Sequence, residues 1–380
     1  MPFSSFYGNT DVVRRMREAL AKDRLPHGVI LAGPPGAGKY TLALMLAQAM
    51  NCLERPQENG LPDFCGACAN CRRIGLAADL DARFTEAVEA REGLRETDKK
   101  ETRILIQTHP DVLVIPPDPP QMMVKVDQVR HVIANIYFRP AEARERVYVF
   151  TSSAFMKEAA NSLLKILEEP PDFATLFLLT ENPGTLLPTI RSRCVTFALA
   201  PLEVVEIERD LAAVHPEWTA AQRTLVARLS GDAVGRARGF DLAGYTAARG
   251  NAVVVLASAL QGSAFQGRAL QGSGLQDGDH SGLFKITETY RAGADGREKT
   301  ELLLRTLYSL LQDLLWVLEG TPELLRNTDI AKDLTKLAQS ADLAWIQQAA
   351  GGLAEVERGM RRNLLRSLSL DAFATALERA

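Results

Sequence analysis

The chain has 380 residues, of which 46% are hydrophobic and 24% charged, and its formal net charge at pH 7 is −3. This length is sufficient for two or three domains with separate cores. The small negative charge excludes a general attraction to nucleic acid, so any DNA contact has to come from a local patch or from partner subunits. No apolar run reaches the roughly 18 residues of a membrane span and the first residues do not form a secretory signal, so we expect a cytoplasmic protein.

The first 200 residues alternate predicted strands and helices. Val29 to Ala32 is a short apolar strand, and the next residues lead into a helix predicted from Tyr40 to Asn51. Later apolar runs predict strands at 112–115, 147–150, 176–179 and 195–199. The runs between them predict helices at 126–136 and 157–169. This alternation predicts an α/β fold built on a doubly wound parallel sheet.

From Pro201 onward the strand signal disappears. We predict a sheet domain over 1–200, a small helical lid over 201–241 and an all-helical domain over 242–380. The strongest helix of the last domain, 299–318, carries leucines on several faces, which indicates burial on more than one side. It is either a central core helix or a helix shared with a neighbouring subunit.

Two segments read as insertions. Residues 81–107 mix acidic and basic side chains and are predicted to form a solvated helix or a loop. Residues 259–278 carry a glutamine at every fifth position. A single coil of a β-helix could not bury its own apolar row, so a flexible Gly/Ser/Gln linker is the prediction for this segment.

Residues 33–40, Gly-Pro-Pro-Gly-Ala-Gly-Lys-Tyr, have the pattern of a phosphate-binding loop between a strand and a helix. Such a loop cradles phosphates with backbone N–H groups, here in the region of Gly33, Gly36 and Gly38, and Lys39 would reach the terminal phosphates. Two interpretations stay open for this loop. It either holds ATP or ADP, or it is a folded relic that holds no nucleotide.

The chemistry that would hydrolyse ATP is missing from this sequence. Tyr40 stands where a Ser or Thr would hold Mg²⁺, and its phenol is too long for that role. Thr41 cannot substitute, because the next residue of a helix points about 100° away. The strand at 147–150 ends in Thr151, Ser152 and Ser153, although hydrolysis needs carboxylates at this position. We therefore predict that this chain alone does not hydrolyse ATP.

Four of the five cysteines, Cys52, Cys65, Cys68 and Cys71, fall within twenty residues, and two steps of their spacing are C-x2-C. In a reducing compartment this pattern favours a metal over disulfides, and four thiolates suit a closed tetrahedral Zn²⁺ site. A closed site is structural rather than catalytic. Cys194 stands alone.

Several motifs together resemble one family, the clamp-loader AAA+ subunits of bacterial DNA polymerase III. Residues 161–171, Asn-Ser-Leu-Leu-Lys-Ile-Leu-Glu-Glu-Pro-Pro, resemble the family's N-x-L-L-K-x-L-E-E-P-P helix, and the cysteine quartet resembles its zinc module. Further matches are the S-R-C motif at Ser192–Cys194, His109–Asp111, Gly8–Asn9 and Pro26–His27. The resemblance extends from residue 3 to about 240.

Within this family, γ/τ motor subunits carry an intact phosphate loop and an acidic strand end, whereas δ′ subunits have a degraded site and act as stators. The departures at Tyr40, Thr151 and Ser152 therefore favour the δ′ type. The resemblance implies that Arg193 is an arginine finger acting in trans on a neighbouring subunit. It also implies that Arg236 occupies the sensor-2 region of the lid.

For the whole protein, the resemblance implies a non-hydrolysing stator within the DNA polymerase III holoenzyme, with structural Zn²⁺ and an all-helical collar. The implied partners are γ/τ and δ subunits in a hetero-pentamer, the sliding clamp, and primed DNA through the assembled complex. Thr180 would lie near the sensor-1 position. One alternative is an ATP-hydrolysing γ/τ-like motor subunit. Another is an AAA+ helicase loader or branch-migration ATPase, which the zinc quartet disfavours.

Overall fold

The computed structural model of the protein describes residues 2–260, 294–361 and 373. The glutamine repeats predicted as a linker at 259–278 lie outside the described residues from 261 onward. The described residues cluster into two compact units, one within Met1–Asp210 and Gly231–Arg238, the other within Leu211–Ser230 and Gly239–Ala380. The division into three domains stays a prediction.

Eight strands are described, and six of them form one sheet in the order β4-β5-β6-β7-β1-β8. The strands are β1 Gly28–Ala32, β2 Gln57–Glu58, β3 Leu61–Pro62, β4 Ile106–His109, β5 Val112–Ile115, β6 Arg146–Phe150, β7 Ala174–Thr180 and β8 Val195–Ala198. All five predicted strands are confirmed to within about two residues at each end. The predicted parallel sheet is confirmed for these five strands, and β4, which was not predicted, is added at one edge antiparallel to β5.

Helices cover most of the remaining described residues, and the four helices predicted individually are confirmed. Up to residue 238 they are α1 Thr10–Ala21, α2 Lys39–Asn51, α3 Ala69–Gly75, α4 Leu80–Glu92, α5 Glu96–Glu101, α6 Val126–Ile136, α7 Lys157–Glu168, α8 Pro188–Arg191, α9 Val204–Val214, α10 Ala220–Leu229 and α11 Val234–Arg238. The later helices are α12 Leu242–Leu260, α13 Ala294–Leu318, α14 Ala331–Ala338 and α15 Leu343–Arg361. Among the described residues, no helix combines the length and the apolar character needed to cross a bilayer.

The sheet is buried on both faces, which explains why its central strands are continuous apolar runs. Alternate residues of β1 point to opposite sides. Val29 and Leu31 join a core with α1, α2 and the cysteine segment, whereas Ile30 and Ala32 join a core with α6, α7 and α8. The first unit therefore has the three layers of a doubly wound α/β fold.

The charged insertion is helical in part, as predicted, because α4 and α5 lie within it. The expectation of a solvated segment fails at two points. β4 begins at Ile106, and Arg91 is buried with its Nη1 atom 2.6 Å from Oδ1 of the fully buried Asp118. Lys125 Nζ lies 3.2 Å from the same oxygen. This ion-pair cluster anchors the insertion to the residues that precede α6.

The second unit has its own all-helical core. Leucines 303, 304, 307, 310, 311 and 314 of α13 are all buried and pack with α12, α14 and α15. This arrangement supports the interpretation of α13 as a central core helix of this chain. A buried polar cluster lies within the same unit, in which Asn327 contacts Asp313, Tyr245 and Arg249.

Candidate functional site

The phosphate-loop motif lies where the pattern predicts, between β1 and α2. Gly36 and Gly38 have φ angles of +80° and +84°, a region that L-residues with side chains rarely occupy. A Cβ atom on Gly36 would also come within 2.7 Å of Cγ of Arg236. Both glycines are therefore required by the backbone conformation of the loop.

Lys39 folds back onto its own loop. Its Nζ atom donates hydrogen bonds to the carbonyl oxygens of Gly33 at 2.6 Å and Pro34 at 2.7 Å. Burial lowers the pKa of the Lys39 ammonium, and the negative charge of Glu181 acts in the opposite direction. Because the ammonium is partly desolvated, an anion such as a phosphate group would be attracted strongly to it.

Tyr40 is directed away from the loop. Its hydroxyl donates a hydrogen bond of 2.6 Å to the carbonyl of Ala77, just beyond α3, and burial raises the pKa of the phenol. The phenol thus ties the first turn of α2 to the segment that follows the cysteine residues. Thr41, the next residue, has an exposed side chain. The structure therefore places the Tyr40 oxygen on a backbone carbonyl rather than beside the phosphate loop.

Neutral hydroxyl groups occupy the carboxyl end of β6, where carboxylates would be needed for hydrolysis. Ser152 Oγ accepts a hydrogen bond from the backbone N–H of Ala154 at 3.1 Å. Ser153 Oγ lies 3.0 Å from Oγ1 of Thr180, the last residue of β7, and 2.8 Å from Oγ1 of Thr185. The hydroxyls of Ser153, Thr180 and Thr185 contact one another, and neither they nor Ser152 carry a charge for a metal ion.

Arg236 lies against the phosphate loop, close to Gly36, and its sensor-2 role stays a prediction. The backbone N–H of Gly235 donates a 2.9 Å hydrogen bond to the Gly36 carbonyl, and the Arg236 side chain is exposed. Helix α11 thus closes over one side of the loop. The structure brings together the loop, Lys39 and Arg236, all within the first unit.

The four predicted zinc ligands converge. The Sγ atoms of Cys52, Cys65, Cys68 and Cys71 all lie within 4.8 Å of one another. A tetrahedral zinc ion with Zn–S distances of about 2.3 Å requires sulfur atoms at roughly this spacing. The residues therefore fit Zn²⁺, which would cross-link the end of α2 to the start of α3.

Backbone N–H groups also point at these sulfur atoms. Cys65 N lies 3.3 Å from Cys52 Sγ, and Cys68 N lies 3.2 Å from Cys65 Sγ. Burial acts to raise the pKa of the Cys68 thiol, but hydrogen bonds from the backbone of Cys71 and Leu53 outweigh it and lower the pKa to about 7. N–H donors of this kind stabilise thiolate sulfur, the form that binds a metal.

Arg193 lies far from this chain's own phosphate loop. Because Val29 pairs with Val195, Arg193 is at the amino end of the parallel strands, whereas Lys39 is at their carboxyl end. The length of β1 alone separates the two ends by roughly 13 Å, at about 3.3 Å per residue. Arg193 Nη2 lies 2.7 Å from Glu168 Oε1, and Nη1 donates to the Thr189 carbonyl at 2.9 Å.

The sequence was compared with known families and proteins. The family described as "DNA polymerase III, delta subunit" matches residues 8–203, which is more than half of the chain. The chain belongs to this clamp-loader AAA+ family. The resemblance found in the motifs is thereby confirmed.

Relatives of this clamp-loader chain include different subunit types. It is 29% identical over 211 residues to DNA polymerase III subunit tau of Escherichia coli, covering 55% of this chain and 27% of tau. It is 31% identical over 201 residues to subunit delta′ of Bacillus subtilis, covering 53% of this chain and 50% of the relative. The chain therefore spans about a quarter to a half of the length of these relatives.

Among solved structures, the clamp-loader chain is similar to a gamma subunit-related protein from Thermotoga maritima. The sequence identity is 16% and the TM-score 0.41, with 97% of this chain and 98% of the other covered.

Glu181 is one residue that the sequence-predicted site lacks. It follows β7 directly after Thr180 and is exposed, and its charge acts on Lys39. Its position after a predicted strand could have indicated Glu181, because ligand-binding groups of this architecture lie at the carboxyl ends of parallel strands. Glu168 is a second such residue, since its contact with Arg193 joins positions 25 residues apart.

Proposed function

We propose that this chain is a δ′-type stator subunit of a DNA polymerase III clamp loader. It would complete the ring of γ/τ and δ subunits that places the sliding clamp on primed DNA, without hydrolysing ATP itself. The single observation that carries the proposal is the hydroxyl-lined carboxyl end of β6. Thr151, Ser152 and Ser153 offer no carboxylate there, and Tyr40 Oη is engaged by the Ala77 carbonyl.

The loop itself retains the groups that bind phosphate. Gly36, Gly38 and Lys39 would hold the phosphates of ATP or ADP, with Thr41 at the start of α2 and Arg236 beside the loop. A bound nucleotide would then stabilise this subunit or its contact with a neighbour. It would not be turned over, because the described residues at the carboxyl end of β6 offer no carboxylate to hold the metal ion or to orient the attacking water.

Arg193 would act at a second site, on ATP bound by the adjacent motor subunit. Its position at the amino end of the strands keeps it away from its own loop, as an arginine finger acting in trans requires. Such an arginine stabilises the charge that develops on the transferred phosphoryl group, and its contribution to the rate is about 10³- to 10⁵-fold.

A γ/τ-like motor is the second candidate function. The match to subunit tau and the charge of Glu181 near Lys39 favour it. A carboxylate beside the loop could hold a metal ion if the hydroxyl groups at the end of β6 supplied further ligands.

Steady-state ATP hydrolysis by the purified chain distinguishes the two candidates. We expect the parent chain to show no turnover above the Lys39→Ala variant, because both lack the acids of a hydrolytic site. Turnover that disappears in the variant would support the motor and overturn the stator. A binding measurement with ATP on the same two proteins tests whether Lys39 holds nucleotide.

A further inference from the structure

Arg193 is held by an ion pair between two helices of the first unit. Its Nη2 atom lies 2.7 Å from Oε1 of Glu168, the last residue of α7. Its Nη1 atom donates to the carbonyl of Thr189 in α8 at 2.9 Å. The guanidinium is thereby fixed to two separate elements, although Arg193 itself lies in the short connection between α8 and β8.

The pair is too exposed to contribute much to stability. The side chains of Arg193 and Glu168 are 34% and 50% exposed, and pairs of this kind are weakened by water and salt. A different consequence follows from the flexibility of arginine. This side chain has many rotamers, so a contact that selects one of them in advance reduces the entropy lost when the guanidinium meets an anion.

The ion pair leaves part of the guanidinium available. Arginine has five N–H donors, and the described contacts of Arg193, to Thr189, Ser192 and Glu168, use at most three. At least two N–H groups can still reach a phosphate oxygen. Glu168 therefore orients the side chain without occupying all of its donors.

We infer that Glu168 is a positioning residue for Arg193, and the inference rests on the proposed function of Arg193 as an arginine finger. In the reaction of the neighbouring subunit, the oxygen of a water molecule bonds to the γ-phosphorus as the bond to the bridging oxygen of ADP breaks. ADP and inorganic phosphate leave, and a proton passes to solvent. Arg193 neutralises charge on the phosphoryl oxygens, and Glu168 holds Arg193 while touching no reacting atom.

The test uses the complete clamp loader, assembled with this chain as the parent, Glu168→Ala, Glu168→Gln or the matched control Glu169→Ala. Glu169 is the neighbouring exposed carboxylate and has no described contact with Arg193. We expect Glu168→Ala to lower the maximal ATP turnover about tenfold, with KM and assembly unchanged, since only the orientation of the finger is lost. Glu168→Gln should retain more activity, because its amide oxygen still accepts a hydrogen bond.

A double variant separates positioning from other roles. If Glu168 acts only through Arg193, the Arg193→Ala/Glu168→Ala loader turns over at the rate of Arg193→Ala alone. Turnover by Glu168→Ala equal to or above that of the parent would overturn the inference, as would a double variant slower than Arg193→Ala. If Arg193→Ala itself had no effect, the proposed finger would fail as well, so the failures of the two proposals are distinguishable.

Discussion

The two ends of the parallel strands differ in their chemistry. At the carboxyl end, neutral hydroxyls of Ser153 and Thr180 contact each other, and the charge that acts on Lys39 comes from the exposed Glu181. At the amino end, charged groups are held in defined contacts. Arg193 pairs with Glu168, and the buried Asp111 accepts three backbone N–H groups.

Under the proposed function, one half of a shared site has lost its chemistry in this chain while the other half keeps it. A site between subunits takes its nucleotide loop from one chain and its arginine from the next, so the two halves of each chain serve different sites. In this chain they lie at opposite ends of β1 and have no described residue contact in common. We therefore expect substitutions at the carboxyl end to leave the contacts of Arg193 with Thr189 and Glu168 unchanged.

The largest expected effect tests whether the two ends are functionally separate. In the complete loader, Arg193→Ala should lower ATP turnover on the order of 10³-fold, because the proposed finger would serve the neighbouring site. Lys39→Ala in the same chain should leave turnover within about twofold, since the loop of the proposed stator would hydrolyse no ATP. Steady-state hydrolysis by the assembled complex measures both. Arg191→Ala, which removes an exposed arginine two residues away, is the matched control.

An equal loss of turnover in Lys39→Ala and Arg193→Ala would show that both ends of the strands serve one hydrolytic function.

A smaller effect, on stability, is expected for the buried carboxylate at the amino end of the parallel strands. The Asp111 carboxylate accepts the N–H groups of Ala141, Glu142 and Ala143 at 2.8 to 2.9 Å. Asp111→Asn should lower the free energy of unfolding by about 3 kcal/mol at neutral pH, since hydrogen bonds to a buried charged acceptor are lost. Urea denaturation measures this difference. Asp172→Asn, at an exposed position before β7, is the control.

The loss of stability in Asp111→Asn should depend on pH, and the direction of this dependence follows from the pKa of Asp111. Burial acts to raise the pKa of Asp111, but the backbone N–H groups of 141–143 outweigh it, so the folded pKa lies below the usual value. A depressed carboxyl pKa contributes stability above the unfolded pKa of about 3.9, and this contribution disappears as the pH falls through the folded pKa. The difference between parent and Asp111→Asn should therefore shrink below about pH 4. A difference that stayed constant in acid would show that the charge does not matter.

The smallest effect is expected at the carboxyl end. Tyr40→Phe removes the hydrogen bond to the Ala77 carbonyl and should lower the free energy of unfolding by about 1 kcal/mol. Because burial raises the pKa of Tyr40, the phenol stays protonated and the loss should be constant between about pH 6 and 9. Urea denaturation of this variant beside Tyr137→Phe, an exposed tyrosine, provides the measurement. A pH-dependent loss would mean that this contact is not neutral.

Much of the fold was predictable because its signals are local. Strands β1, β5 and β7 are buried along their whole length, so they read as continuous apolar runs. Strand β4 escaped prediction because only Ile106 and His109 of its four residues are buried, and its pairing with β5 shifts register between them.

The candidate site likewise has a part that the sequence predicts and a part that it does not. Short sequence patterns predict the glycine loop, Lys39 and the four cysteine ligands. The contacts of Tyr40 with Ala77 and of Arg193 with Glu168 join residues 37 and 25 positions apart. These two contacts form only when the helices pack on the sheet, so no spacing rule in the sequence predicts them.

The contact between Gly235 and Gly36 has a consequence for how this protein can be divided. The chain passes between its two units at residues 210–211, 230–231 and 238–239, and α11 returns to the first unit only after residues 211–230 have joined the second. A gene fragment that ends where the family match ends, at residue 203, would lack α11. The Gly36 carbonyl would then lose its N–H partner, so a fragment that is to keep this contact of the phosphate loop has to extend through α11.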